Sequence, residues 1–464
     1  MVNTMMELEK AKTEYEFPEK IKKLLLDKNT KEASEELANT FLSNNHVHTI
    51  KSDDKPEMWI YEAGIYIPNG ATTINEYVDK VLGTQYSTYF TNQVIAKVQV
   101  RSYITQEKLF EEAPPHLVPV NNGILNINTD KLEPFTPEYR FFQKLPVEYD
   151  PQAECPNCLN FFETTLPNKQ SRNVIQELFG STLFRVYKYH KVFIIEGYGR
   201  NGKGITLLLL QNLLGIHNCS EVSIDDMDND SFALSDLFKK LANICGDIGS
   251  HYIKKPSLLK DLSGGNMKEA NRKFKSRIQF TNYAKLIFAL NECPMTADNT
   301  DGFIDRLTIV NYPIKFIPSE EIKEDMYNVK PIDTNILEKL ITPEEISGLL
   351  NWALRGWHRL EKQHGFSDNK STEAKRKLWL RKSNSVGAFV SERLEFGVED
   401  KYSVSAFTND YISWCRENKL ITKGTKTMKS EMERHGSYKS RIDGKYYWEN
   451  VKEKETKILV ENVK

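Results

Sequence analysis

A glycine-rich segment in the middle of the chain has the residue types and spacing of a phosphate-binding loop. Residues 194–210 read IIEGYGRNGKGITLLLL, in which Gly197, Gly202 and Lys203 fit the pattern G-x-x-x-x-G-K-[ST]. An apolar run enters the loop and another leaves it, which predicts a strand, a loop and a helix. This arrangement presents backbone N–H groups and a lysine ammonium to a phosphate. The predicted nucleotide-binding residues are Gly197, Gly199, Asn201, Gly202, Lys203, Gly204 and Ile205.

The loop departs from its pattern at Gly204, where a hydroxyl usually helps to hold Mg²⁺. Thr206 is a poor replacement, because two residues along a helix turn a side chain by about 200° around the axis. Mg²⁺ usually keeps several water ligands, so an ordered water in place of the hydroxyl is the simplest compensation. We therefore expect weaker metal binding rather than loss of catalysis.

Three further polar residues lie beside predicted strands. Asp247 follows the run LANICG, Asn291 follows LIFAL, and Arg306 precedes LTIV. In isolation, an acid at a strand end is more simply read as solvated. Beside a triphosphate, Asp247 would hold the metal's water shell or polarise the attacking water, and Asn291 would position that water. Arg306 would reach the phosphate of an adjacent subunit, so the predicted catalytic residues are Lys203, Asp247, Asn291 and Arg306, with Asp247 as metal ligand.

Strand-like and helix-like runs alternate from residue 186 to 318, which predicts an α/β fold with a parallel, helix-covered sheet. The helix-prone segment 1–114 contains one small predicted hairpin around Ala63 and Gly64. The other predicted regions are a strand-rich and then helical segment (115–185), a helical segment (319–366) and a C-terminal region (371–464).

The C-terminal region has the element order of a winged helix. Three helical patterns precede a hairpin that turns at Asp443 and Gly444. The predicted exposed cations of the third helix are Lys426, Lys429 and Arg434. Lys370 to Lys464 contains 21 Lys and Arg against 14 Asp and Glu, a balance of +7 in a chain of net charge -1. This charge distribution is compatible with a DNA-contacting module, although taken alone it is more simply explained by a basic solvated surface.

Composition excludes several classes of protein. The 464 residues are too many for one ordinary domain. No apolar run approaches the roughly 18 residues needed to span a bilayer, and the charged N-terminus does not resemble a signal peptide. The six cysteines include one close pair, Cys155 and Cys158, which suits neither a disulfide framework nor a complete zinc site. We expect an intracellular, cytoplasmic, soluble protein without a membrane partner.

The set of motifs resembles superfamily 3 helicases, specifically the helicase half of phage, plasmid and large DNA virus (poxvirus-type) primase-helicases. The glycine loop, Asp247 and three further segments carry the likeness, and it extends from about residue 115 to 450. Those segments are LLKDLSGGN, FTNYAKLIFALNECP and DGFIDRL. The resemblance implies an AAA+-like core with a helical collar and a winged-helix domain. It also implies ATP and Mg²⁺ as cofactors and a homo-oligomeric ring of six subunits.

In such a ring, single-stranded DNA passes through the central channel with 3′-to-5′ polarity. The resemblance assigns phosphate binding to Lys203, the Walker B role to Asp247, the sensor role to Asn291 and a trans-acting finger to Arg306. It also places a hairpin in the channel, where cations would grip successive phosphates; a solvated helix face is the alternative. The predicted hairpin cations are Lys268, Arg272, Lys273 and Lys275, with Lys273 and Lys275 at the tip and Arg272 alternatively facing the nucleotide.

The sequence thus predicts an ATP-driven DNA helicase for a virus, plasmid or mobile element, acting on duplex or forked DNA. No persuasive set of clustered carboxylates precedes the helicase region, so priming would come from a separate primase or polymerase. Gly204, the single acid at Asp247 and the pair Asp305-Arg306 depart from the family's common pattern. Two alternatives stay open: a nucleotide-gated DNA-binding or loader scaffold with weak turnover, and an initiator ATPase acting on duplex DNA.

Overall fold

The computed structural model describes residues 16–454 except 53–55, 198, 231, 249–251, 274, 292, 297, 299, 369, 419 and 421, and all of their side chains except those of 247, 248, 275 and 276. None of the described helices combines the length and the apolar character that crossing a membrane requires.

The N-terminal unit is a small mixed sheet covered by helices. Its elements are α1 (16–26), α2 (Thr30–Asn44), β1 (Val47–Ile50), β2 (Met58–Glu62), β3 (Ile65–Ile67), α3 (Gly70–Leu82), α4 (Thr88–Arg101), β4 (Tyr103–Ile104) and α5 (Gln106–Leu109). The strand order is β3-β2-β1-β4. The predicted hairpin is present as β2 and β3, with positive φ at Ala63 (46°) and Gly64 (98°). It belongs, however, to a four-stranded sheet, because β1 and β4 add to it.

A three-stranded meander and two helices follow. They are β5 (Leu117–Val120), β6 (Gly123–Asn126), β7 (Lys131–Glu133), α6 (Pro156–Thr165) and α7 (Lys169–Thr182). Gly180, which the sequence indicates as a helix stop, lies inside α7. A Cβ atom there would stand 2.5 Å from both Ala353 O and Trp357 N of a later helix. Gly180 therefore permits two helices to touch through their backbones.

The centre of the molecule is a parallel sheet in the order β14-β8-β13-β10-β9. Its elements are β8 (Val192–Glu196), α8 (Lys203–Leu214), β9 (Cys219–Ser220), α9 (Ile224–Asn229), β10 (Ala242–Ile248), α10 (Pro256–Ser263), β11 (Met267–Arg272), β12 (Lys275–Thr281), β13 (Lys285–Leu290), α11 (Asp301–Ile304) and β14 (Leu307–Asn311). Strands β8 and β13 are buried along their whole length, as expected for a parallel sheet covered on both faces. Strands β11 and β12 form a separate antiparallel hairpin, not a helix.

The segment after the sheet is mainly helical and closes the core. It contains β15 (Lys315–Ile317), β16 (Val329–Pro331), α12 (Ile336–Leu340), α13 (Pro343–Gln363) and α14 (Thr372–Ser383). Strand β16, which pairs in parallel with β15, lies in the segment that the sequence presents as helical. Helix α13 packs along α7, where Trp352 meets Phe179 edge-on at 5.4 Å, and Trp352 also stacks on Phe162 of α6 with ring centroids 4.6 Å apart. All three aromatic residues belong to the main hydrophobic core.

The C-terminal unit has its own core and a three-stranded antiparallel sheet in the order β17-β19-β18. Its elements are α15 (Ser385–Arg393), β17 (Leu394–Ser403), α16 (Val404–Glu417), α17 (Thr425–Arg434), β18 (Lys439–Ile442) and β19 (Lys445–Glu453). The first of the three predicted helices ends at Arg393, and strand β17 follows it directly. Alternating burial from Leu394 to Phe396 favours a strand, and Gly397 (φ 76°) lies where the pairing with β19 shifts register.

Candidate nucleotide site and nucleic-acid surfaces

The glycine loop joins the carboxyl end of β8 to the first turn of α8. Gly199 (φ 52°), Arg200 (φ 49°) and Gly202 (φ 87°) adopt left-handed backbone conformations, and Gly202 is the N-cap of α8. Side chains rarely tolerate such angles, which explains the glycines at two of these positions. Helix α8 has no side-chain cap, so its first N–H groups point toward the space in front of the loop.

The side chain of Lys203 contacts the carboxyl ends of two neighbouring strands of the sheet. Its side chain is buried, and Nζ donates to Gly197 O at the end of β8, to Leu290 O (3.1 Å) at the end of β13 and to Asn291 Oδ1 (3.0 Å). The predicted phosphate-binding lysine and the predicted sensor residue are therefore in direct contact. Strand β13 lies between β8 and β10, so Asn291 follows the strand that separates the loop from Asp247.

Asn201 lies over Gly197. A Cβ atom on Gly197 would overlap Asn201 Nδ2 and would stand 2.9 Å from Tyr312 O. Nδ2 is buried and has no hydrogen-bond partner in the described part of the chain, while Oδ1 accepts from Lys203 N at 3.4 Å. The absence of a side chain at Gly197 is thus required by close packing within the loop and not by a positive φ angle.

The residues around Gly204 show how the site compares with a usual Mg²⁺ site. A Cβ atom on Gly204 would meet nothing within 4 Å, so there is room for a water molecule in place of the missing hydroxyl. Thr206 Oγ1 donates instead to Gly202 O (3.2 Å) and accepts from Tyr312 Oη (3.0 Å), as its position on the helix predicts. Among the described residues, no group of three or more His, Cys, Asp or Glu is arranged to hold a metal ion.

Asp247 lies in β10, on the far side of β13 from the loop. The pairing of β10 with β13 shifts register between Cys245 and Ile248, which places Asp247 within a bulge at the carboxyl end of the strand. Its side chain lies outside the described part of the structure. The backbone alone assigns Asp247 to the same edge of the sheet as Lys203 and Asn291.

Arg306 lies at the opposite edge. Its carbonyl accepts from Val192 N (2.7 Å) at the start of β8, and its guanidinium donates to Gly302 O. The five residues of β8 therefore separate it from the loop by roughly 16 Å at 3.3 Å per residue. Arg306 therefore cannot contact a phosphate in the loop of its own subunit.

An ion pair that the sequence does not indicate lies directly behind the loop. Glu196, the residue before Gly197, is buried and accepts from Lys382 Nζ, which is contributed by α14. The sequence offers one weak sign of this contact, namely a carboxylate at the end of an otherwise apolar strand. Its partner is 186 residues away, so the sequence alone could not identify it.

The cations of the β11–β12 hairpin differ in their surroundings. Lys268 is paired with Asp261 on α10, and Arg277 with Glu269 across the hairpin (3.2 Å). Arg272 is paired with Glu57 of the N-terminal unit (3.2 Å), so it faces neither the nucleotide nor open solvent. Lys273 is exposed at the turn, and the side chain of Lys275 lies outside the described residues. Of the predicted DNA-binding cations here, Lys273 is the one that the structure exposes at the tip.

Two cationic surfaces occur in the C-terminal unit. On α17, Lys426, Lys429 and Arg434 are exposed, but Lys429 lies 3.5 Å from Glu433 and Arg434 lies 3.7 Å from Glu431. On the β18–β19 hairpin, Lys439 and Arg441 lie over the half-exposed ring of Tyr446, at 4.2 and 5.5 Å from its centre. The sequence analysis missed this second group, although the alternating cations in YKSR indicate a common face of one strand.

Family comparisons match two separate parts of the chain. Residues 4–170 match the family described as D5 N terminal like, and residues 195–306 match a family of unknown function, DUF5906. Both are primase-helicase-like families. The second match includes the glycine loop, β10, the β11–β12 hairpin and β13, and it ends at Arg306. Together the two matches support a relationship to phage-type primase-helicases.

Solved structures of the NrS-1 C-terminal region are similar to the chain at low identity. The A-form apo structure is 13% identical, with 89% of this chain and 97% of that chain covered and a TM-score of 0.44. A second apo structure of the same region is 12% identical, with 90% and 98% covered and a TM-score of 0.42. No curated protein matches the chain.

Proposed function

We propose that the chain is an ATP-dependent DNA helicase that acts in the replication of a virus, plasmid or mobile element. The observation that carries this proposal is the contact between Lys203 and Asn291 in front of a glycine loop and an uncapped helix N-terminus. A lysine, a sensor amide and backbone N–H groups at one edge of a parallel sheet are the groups that a triphosphate requires. The match of residues 195–306 to a primase-helicase-like family supports the same function.

ATP and Mg²⁺ fit the residues of the loop. A phosphate oxygen would give Asn201 Nδ2 the acceptor that it lacks in the loop, and would compete with Gly197 O for the ammonium of Lys203. The open space at Gly204 would hold a water ligand of the metal. Bound Mg²⁺ would neutralise the charge that develops on the transferring phosphoryl group. Asn291 would orient the attacking water, and Asp247 would hold the metal's water shell.

Arg306 would act on the nucleotide of the neighbouring subunit, which requires a homo-oligomer. A closed ring, with six subunits as the family resemblance implies, brings the amino edge of one sheet toward the loop of the next. The β11–β12 hairpin would line the channel, where Lys273 would contact single-stranded DNA. Translocation would then proceed with 3′-to-5′ polarity.

The C-terminal unit would bind duplex or forked DNA as a winged helix. Its three helices and three-stranded antiparallel sheet, with exposed cations on both α17 and the β18–β19 hairpin, support this role. A separate primase or polymerase would supply primers.

One observation favours a second function. Gly204 provides no hydroxyl to the metal, so the chain could bind ATP, assemble on DNA and turn the nucleotide over very slowly. Such a nucleotide-gated scaffold would load other proteins rather than unwind DNA. A duplex-DNA initiator ATPase is distinguished from both by the form of DNA that stimulates hydrolysis.

The test is Mg²⁺-dependent ATP hydrolysis with no DNA, with single-stranded DNA and with duplex DNA, using Lys203→Ala as the blank. Stimulation by single strands that disappears in the variant supports the helicase, and unwinding of a duplex with a 3′ overhang checks its polarity. Binding of ATP with negligible turnover in all three conditions would reject the helicase in favour of the scaffold. Stronger stimulation by duplex DNA would favour the initiator.

A further inference from the structure

The contacts of Lys203 indicate how a bound nucleoside triphosphate would be oriented in the loop. Its ammonium is held on the side of the loop where β13 ends, by Leu290 O and Asn291 Oδ1, and β10 with Asp247 lies beyond β13 on that same side. The reacting terminal phosphate belongs beside these groups. The opposite end of a nucleoside triphosphate must therefore leave the loop on the side of β14, which is the other neighbour of β8.

A cavity of about 450 Å³ lies on that side. Its walls are the outer edge of β14, the loop between α6 and α7 with the first turns of α7, and α14. Because β14 is the last strand of the sheet, this edge has no further strand to cover it. The volume is within the range of about 300–1,000 Å³ that is typical of small-molecule sites.

The cavity lies close to the glycine loop on two sides. Asn311, which lines it, is the register partner of Glu196, the residue before Gly197. Lys382, another lining residue, makes the ion pair with the same Glu196. On the α7 side, a Cβ atom on Gly202 would stand 2.7 Å from Thr165, which precedes the lining residues Leu166 and Pro167. One residue thus separates the loop from the cavity on both sides.

The lining suits a neutral, partly apolar group rather than a further phosphate. Its two lysines are already compensated, since Lys382 is paired with Glu196 and Lys370 with Asp368 (2.7 Å). Apolar walls are formed by Leu166, Pro167, Val174, Pro313 and Leu378, and polar groups by Asn168, Ser171, Asn311 and Asn418. A purine base on apolar surfaces, oriented by a few amides and a hydroxyl, has this complementarity.

We propose that this cavity is the nucleoside pocket, with the base and ribose of ATP lodged between β14, the start of α7 and α14. The inference rests on the proposed nucleotide site and extends it by assigning the half of the ligand that the loop does not hold. Leu378 and Lys382 come from α14, and Asn418 caps the end of α16. Both α14 and the C-terminal unit would therefore contact the bound nucleoside.

The experiment compares Mg-ATP with Mg-tripolyphosphate, which has the phosphates but no nucleoside, by titration calorimetry on the full chain. The wild type is expected to bind ATP at least roughly tenfold more tightly than tripolyphosphate. Ser171→Trp, which fills the cavity from α7, is expected to remove most of that difference while leaving the Kd for tripolyphosphate within about twofold. Lys169→Trp makes the same addition on the same helix but at an exposed residue outside the cavity, and should change neither Kd.

Asn311→Trp fills the cavity from the opposite wall and keeps the test valid if Ser171→Trp does not fold. Lys203→Ala should weaken both ligands, because it acts on the phosphates. Equal binding of ATP and tripolyphosphate by the wild type, or unchanged ATP binding by a folded cavity-filling variant, would overturn the pocket assignment while the phosphate site stands. Failure of the wild type to bind either ligand would instead reject the nucleotide site itself, and the pocket with it.

Discussion

Two buried lysines, Lys203 and Lys285, lie at opposite edges of the same parallel sheet. Lys285 begins β13 at the amino edge, and its Nζ donates to the carbonyl oxygens of Phe184 (2.7 Å), Val186 (3.1 Å) and Tyr283 (3.0 Å). Lys203 lies at the carboxyl edge and contacts two carbonyls and the side-chain amide of Asn291. Burial is therefore common to both, and it does not separate a lysine that we propose to bind phosphate from one with a structural role.

The two lysines differ in their hydrogen-bond partners. The partners of Lys285 are three backbone carbonyls, which belong to segments fixed by the sheet and by the chain that enters it. One partner of Lys203 is a side chain that can rotate away, and its ammonium is beside an uncapped helix N-terminus and a loop with several positive φ angles. A ligand can replace the contacts of Lys203, whereas a replacement for the contacts of Lys285 would require the chain to unfold locally.

Substitution of the two lysines should separate turnover from stability. Lys203→Ala is expected to lower ATP turnover by at least about 100-fold, because a positioned cation opposite the phosphates is lost. Lys285→Ala should leave three buried carbonyls without a donor and lower the free energy of unfolding by roughly 2–5 kcal/mol. Turnover assays and urea unfolding of both variants test this contrast. It fails if Lys285→Ala loses turnover with an unchanged unfolding midpoint.

Gly197→Ala should damage the loop without affecting the amino edge. The added methyl group would overlap Asn201 Nδ2, so the amide must move, and we expect the Kd for Mg-ATP to rise by roughly tenfold. Gly204→Ala is the matched control, because its methyl group meets nothing within 4 Å and an alanine favours the helix. Equal effects of the two substitutions on ATP binding would contradict the packing argument.

Gly204→Ser should strengthen Mg²⁺ binding at the carboxyl edge of the sheet. The new hydroxyl has room and occupies the position at which this type of loop usually holds Mg²⁺. We expect the Mg²⁺ concentration for half-maximal hydrolysis to fall by roughly three- to tenfold, since one direct ligand is added. A Mg²⁺ titration at saturating ATP measures this, with Gly204→Ala as the control that adds size without a hydroxyl. An unchanged midpoint would mean that the metal does not approach this residue.

A pH dependence of stability is also expected, and it arises at the amino edge. Burial lowers the pKa of Lys285 from its ordinary 10.5 to about 7. Between those values the unfolded chain holds a proton that the folded chain has lost, so the contribution of Lys285 to the free energy of unfolding increases as pH rises. Urea midpoints at about pH 7 and about pH 9.5 should therefore rise more in the wild type than in Lys285→Met. A larger rise in the variant would contradict this sign.

Much of the sheet and the loop could be predicted because their determinants are local. Apolar runs, glycines and the polar residues that follow strands indicate β8, β10 and β13 directly, and the edge rule for parallel strands brings Lys203 and Asn291 together across 88 residues. Strands β1 and β4 were missed because each is short and gains its stability from a distant partner, as in the pair Thr49 and Tyr103. Strand β17 was also missed, because the helical propensity of its first residues predicts that the preceding helix continues through them.

Contacts between units are the part of the site that the sequence does not predict. The pairing of Arg272 with Glu57 and of Lys382 with Glu196 joins residues that are far apart in the chain and share no periodic pattern. A charged side chain carries no local sign of whether it will meet solvent, nucleic acid or another unit. The exposure of Lys273 and the pairing of Arg272 therefore required the structure, although both residues lie in one predicted cationic stretch.

Three glycines fix the helical layer beneath the sheet. Side chains at Gly180, Gly348 and Gly356 would overlap or press on the backbone of the facing segments, so α13 meets α7 and the chain before α6 without intervening side chains. Contacts between two backbones contain no side chain that could change its rotamer, so they leave the helices little freedom to shift. Helices α7 and α13 would therefore move as one rigid piece in any conformational change. Helix α14 is attached differently, through ion pairs of Lys382 with Glu196 of β8 and of Arg376 with Asp301 of α11, beside the ring contact of Trp379 with Phe303.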